Sequence, residues 1–157
     1  MEARLALEFL QRGLVRNSAG KAFQAWKALL AALLRLEMDK LLQAAKTEEE
    51  KKWLAERAVP RVPTTRMVRL SHMLEEIRHA GGMAWTSVAL DLHDYQYHGP
   101  DPDMALSKYQ TRDEAAKDVI LLVAEIAKRA EALSQRVKWT TELEEALSAL
   151  KEGLRGR

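Results

Sequence analysis

The chain has 157 residues, no cysteine, and 25 Lys and Arg against 23 Asp and Glu, a formal net charge of +2. With 47% hydrophobic and 31% charged residues it is a globular rather than a disordered chain. The missing cysteine excludes disulfides, thiolate metal sites and cysteine nucleophiles, and so small a net charge does not by itself point to a nucleic-acid partner.

A first helix is expected from about Ala3 to Arg16, where Leu5, Phe9, Leu10 and Leu14 form an apolar stripe. Glu2, Arg4 and Glu8 interrupt the apolar run that a secretory leader would need. Asn17, Ser18 and Gly20 read as a turn. The second helix is expected from Lys21 to about Ala45, with Phe23, Trp26, Leu30, Leu33 and Leu41 on its core face. Ala28 to Leu34 is apolar on nearly every side, which places this helix at the centre of its bundle. The run is far too short to span a bilayer, so a soluble, cytoplasmic protein with no membrane association is expected.

Thr47 with Glu50 reads as a capping box opening a short helix to about Arg57, with Trp53 and Leu54 turned inward. Pro60 and Pro63 are expected to stop regular structure. Thr64 or Thr65 can cap the next helix, which runs to about His79 and buries Val68 or Leu70 with Met73, Leu74 and Ile77. After a break at Gly81 and Gly82, a helix from Met83 to Tyr97 aligns Trp85, Val88, Ala89, Leu92 and Tyr95. His98 to Gln110 is the clearest loop.

Thr111 with Glu114 is a second capping box, opening the longest helix, roughly Arg112 to Trp139. Val119, Val123, Ile126, Ala130, Leu133 and Val137 recur there as a heptad seam suited to a long partner helix. Thr141 with Glu144 forms a third box before a last amphipathic helix with Leu143, Ala146, Leu147 and Leu150, ending at Gly153. The helical period dominates throughout. The expected fold is all-α, an up-and-down helical bundle of about five long helices, in a single domain over 1–157 with its core in about 3–139.

Three clusters could carry chemistry. Ala89 to Asp103 gathers two histidines, four aspartates and two tyrosines. Asp94 and His98 face each other on a helix, and a carboxylate beside an imidazole can tune a general base, so His93, Asp94 and His98 are the catalytic candidates. His93, His98 and Asp101 are the candidates for a divalent metal. The plainer reading is a braced polar helix end. Secondly, Arg66 and His72 fit the Arg-x(4–6)-His spacing of metal-independent ribonucleases, in which arginine stabilises phosphoryl charge while histidine moves a proton; in an arginine-rich chain the same spacing also arises by chance. Thirdly, Arg57, Arg61, Arg66 and Arg69 form an acid-free basic stretch beside a helix start near Thr65, a combination that can hold phosphate. Arg61, Arg66 and Arg69 are the nucleotide- or RNA-binding candidates, against the alternative of a solvated arginine face. Trp26, Trp53 and Trp85 read as core, and Trp139, at a helix end, as the tryptophan nearest the surface. No Gly-rich phosphate loop, nucleophile elbow or zinc-helix signature is present, and no cofactor is expected.

Two regions together resemble a known group: GKAFQAWKALLAALLRL, Gly20 to Leu36, and ALDLHDYQYHGPDP, Ala89 to Pro102, followed by EAAKDVILLVAEI, Glu114 to Ile126. Over roughly residues 3–133 the chain resembles the archaeal PaREP family (Pyrobaculum aerophilum repeat proteins). Its members have a small-residue-rich second helix, then an Ala-x-x-Leu-His-x-Tyr-type stretch before a long closing helix. The resemblance implies an HEPN-like bundle that tends to dimerise; some such bundles cleave RNA, and others are non-catalytic partners of nucleotidyltransferases. Nuclease members carry their arginine and histidine near the start of the late helix. Here the matching region is His93 to His98, with no arginine between Arg78 and His93. His93 and Tyr95 carry over as signature positions without a role. The expected function is a non-catalytic homodimeric module binding a nucleotide, RNA or a nucleotidyltransferase-like partner protein. A metal-independent ribonuclease is the second reading and a divalent-metal-binding protein the third.

Overall fold

Gly13 decides where the first helix ends. It adopts φ of 71°, a left-handed conformation that costs glycine little. In the computed structural model, which describes residues 1–157 and contains no strand, α1 therefore spans Glu2–Gln11 and α2 Val15–Leu36. The turn expected at Asn17, Ser18 and Gly20 is instead the opening of α2. The buried Ser18 hydroxyl donates to the Ala6 carbonyl at 2.7 Å. Gly20 admits Gln96 closely, since a Cβ there would stand 2.5 Å from the Gln96 amide carbon. Leu14, left outside both helices, is 44% exposed.

Along α2, Phe23, Trp26, Leu30, Leu33 and Leu34 are buried while Gln24, Ala28, Ala32 and Arg35 face water. The alanines let the run look apolar all round, yet one face is solvated. The helix breaks at Glu37, and α3 spans Met38–Ala44. Glu37 is almost fully buried, with Lys40 Nζ and His79 Nε2 each 2.9 Å from its carboxylate. A buried carboxylate requires such partners.

α4 is Glu48–Trp53. The Thr47 hydroxyl accepts the Glu50 N–H at 3.1 Å, but the Glu50 carboxylate turns to the Lys46 N–H, so the expected box is only half formed. Pro60 does not stop the helix. In an α-helical turn its ring would clash with the carbonyl four residues earlier. A π turn at Leu54–Ala58, closed by the Val59 N–H on the Leu54 carbonyl, widens the backbone there, and α5 continues over Val59–Arg61. The chain leaves the helix at Val62, φ 42°. A 3-10 turn, Thr64–Arg66, leads into α6, Met67–Glu76. Leu70, Met73 and Leu74 are buried, Val68 is exposed and Ile77 half-buried. α6 stops short of His79 because Arg78 turns left-handed and the His79 N–H bonds the Leu74 carbonyl.

α7 is Gly82–His98, α8 Arg112–Leu133 and α9 Thr141–Leu154. The Thr111–Glu114 capping box forms in full. Thr140, not Thr141, caps α9, because Glu144 accepts the Trp139 indole N–H at 2.9 Å instead of closing a box. α8 accordingly ends before Trp139, which is half-buried, and Val137 and Leu143 are exposed.

The chain forms two compact units, Met1–Trp26 with Val88–Arg157, and Lys27–Ser87. In the first, α1, α8 and α9 pack on one another, and the α8 residues Val119, Val123 and Ile126 are buried with Leu7, Leu147 and Leu150. The heptad seam thus serves this unit's own core. In the second, Leu41, Leu54, Ala58, Met67, Leu70 and Leu74 are buried. No helix is long and apolar enough to cross a membrane.

Candidate functional site

The His93 segment is built mainly from packing and capping. The His93 ring stacks on Phe23 with centroids 4.2 Å apart and meets Tyr97 edge-on at 5.2 Å. Asp94 and His98 are exposed. At the C-terminal end of α7, Arg16 donates from Nε to the Gln96 carbonyl at 3.0 Å and from its terminal nitrogen to the Tyr97 carbonyl at 2.5 Å. Gly99, φ 68°, places its N–H on the Tyr95 carbonyl at 2.8 Å and completes the cap.

The loop that follows is organised by Asp101 and Tyr109. The Asp101 carboxylate accepts N–H groups from Leu106 at 2.7 Å, Asp103 at 3.2 Å and Ser107 at 3.3 Å. Those backbone bonds, led by Leu106, hold its carboxyl below the usual range. Tyr109 is buried, donates its hydroxyl to Asp118 at 2.7 Å and meets Tyr95 edge-on. Burial first and the Asp118 hydrogen bond second push this phenol up. Lys108 pairs with Asp91 at 2.9 Å. Nowhere do three His, Asp or Glu side chains gather to hold a metal ion. His93, His98 and Asp101 form no such group here: the His93 ring is packed between Phe23 and Tyr97, and the Asp101 carboxylate accepts three N–H groups of its own loop.

The arginines are placed differently. Arg66 closes the 3-10 turn, Arg69 lies in the first turn of α6 and His72 one turn further on. All three line an open groove of about 1060 Å³. Lys46, from the turn after α3, and Glu50 and Trp53, from α4, also line it. The Lys46 N–H and the Arg69 guanidinium both bond Glu50, which holds that carboxyl below the usual range. Arg66 makes no ion pair within the chain. Glu49 and Glu76 complete a lining of mixed sign. Arg61 is exposed at the end of α5 and lies outside the groove. Trp53, expected in the core, is half-buried and lines the groove.

Such a lining offers guanidinium groups for phosphate, a flat indole for stacking, and carboxylates that accept from hydroxyl or amino groups. Sequence reasoning missed Trp53 as a groove-lining residue and the buried Glu37 with His79. For Glu37 a signal existed, since it follows Leu33 and Leu34 on the buried stripe of α2.

A model of the archaeal PaREP1/PaREP8 family matches residues 1–120, a span that contains the whole groove. No curated protein matches the chain, and no solved structure does.

Proposed function

We propose a nucleotide-binding role for this chain, which belongs to the archaeal PaREP1/PaREP8 family. The observation that carries the proposal is that Arg66 and Arg69 share one groove with Trp53. Arg66, without an internal partner, takes the phosphate. Arg69 is held in place by Glu50 and supplies a second donor fork. Trp53 stacks the base, and Glu49 and Glu76 accept hydrogen bonds from ribose or exocyclic amino groups. The module is read as non-catalytic, cytoplasmic and HEPN-like, with a homodimer or a partner protein as its setting. Calorimetric titration with AMP tests the binding. Arg66→Glu is expected to weaken it by about tenfold or more, the scale of one lost charge-assisted bond; an unchanged Kd would remove the proposal. Light scattering on the full chain tests self-association, and a strict monomer would remove that part.

RNA cleavage is the second reading, favoured by Arg66 and His72 lining the same groove. Arginine would stabilise the phosphoryl charge and histidine would transfer a proton. An intact, metal-free protein that leaves a model RNA uncut ends this reading.

A further inference from the structure

We propose a second subsite beside the first, which makes the ligand a single-stranded oligonucleotide; this rests on the nucleotide-binding reading. Trp53 lines two hollows, not one. The first is the groove of Arg66 and Arg69. The second, of about 320 Å³, is lined by Lys52, Arg57, Glu49, Glu56 and Trp53. Glu49 and Trp53, four residues apart on α4, are common to both. Arg57 and Glu56 come from the π turn, a backbone form that recurs at functional sites.

The chemistry of the second hollow repeats that of the first. Lys52 and Arg57 are exposed and make no ion pair within the chain, so each is available to a backbone phosphate. The aromatic plate stands between two sets of cations, the arrangement that single-strand binders use, because every base has a face to stack. The carboxylates decide between ligands of equal charge. Glu49, Glu56 and Glu76 oppose a compact polyphosphate. They accommodate a strand whose phosphates are spaced by sugars and bases, and they accept its ribose hydroxyls.

The test measures Kd for AMP and for a short oligoadenylate RNA at one fixed salt concentration, using intact protein and the double variant Lys52→Glu/Arg57→Glu. The oligomer is expected to bind at least about tenfold tighter than AMP, the scale of one added stacked base, and this ratio is expected to fall towards one in the double variant. Both replaced side chains are exposed, and an unchanged thermal melt verifies the fold. Trp53→Leu is expected to weaken both probes. A ratio near one in the intact protein, a ratio that survives the double variant, or full affinity in Trp53→Leu overturns the second subsite. If AMP alone binds, the nucleotide reading stands without it; if neither probe binds, both fall.

Discussion

His79 Nε2 lies 2.9 Å from the buried Glu37 carboxylate, which ties the turn after α6 to the break between α2 and α3. Lys40 reaches the same carboxylate from the surface. Removing the imidazole leaves a buried acceptor with fewer donors. His79→Ala is expected to lower stability by about 1–3 kcal/mol, the range for a hydrogen bond to a buried charged group. Urea denaturation gives the number, and an unmoved midpoint would mean that Lys40 suffices.

Ser18 makes a comparable test within the other unit. Its hydroxyl is buried and bonds the Ala6 carbonyl at 2.7 Å. Ser18→Ala removes this tertiary donor from a carbonyl that also lies within the hydrogen-bonded run of α1, with an expected loss of about 0.5–1.5 kcal/mol, the range for one hydrogen bond. A variant as stable as the parent would show that the helical hydrogen bonding of α1 suffices for Ala6.

Why Ser18 and Gly20 were read as a turn illustrates what a sequence can hold. Helix periodicity and the Thr111–Glu114 box depend on neighbours a few residues away, and both are found as expected. The start of α2 depends on Ala6 and on Gln96, a residue far along the chain, and composition alone favoured a turn. Pro60 misled for a related reason: its usual effect was absorbed by a π turn that no local pattern announced. At the groove, Arg66 and Arg69 were legible as a basic stretch. Their neighbours in the groove, Glu50 and Trp53, precede them in sequence and join them only in the fold, Glu50 through its ion pair with Arg69. In the histidine segment, Asp101 bonds the backbone of its own loop and His93 stacks on Phe23, local pairings that spacing cannot reveal.

Two depressed carboxyls set the acid response. Backbone N–H donors lead for both Glu50 and Asp101, with Arg69 assisting the former. For a group whose folded pKa lies below its unfolded value, the contribution is complete above the unfolded value and is lost as pH falls through the folded one. Stability is therefore expected to drop on acidification through and below the ordinary carboxylate range. Glu50→Gln/Asp101→Asn is expected to flatten that part of the curve. Carboxyl-detected NMR titration checks it directly, and midpoints at the ordinary values for both groups would overturn the assignment.

Two glycines should respond to alanine in opposite directions. Gly13 has open space around its Cβ position but a φ of +71°, so Gly13→Ala pays the left-handed penalty of about 1–2 kcal/mol. Gly82, at the first position of α7, also has nothing within 4 Å and carries no left-handed φ. Gly82→Ala meets no steric obstacle and reduces the freedom of the unfolded chain, for an expected gain of about 0.4–1 kcal/mol. Because neither side chain would touch a neighbour, the difference between the variants isolates backbone conformation. Thermal melts should move down for the first and up for the second; shifts of the same sign would show that the turn at Gly13 is not fixed by its left-handed residue.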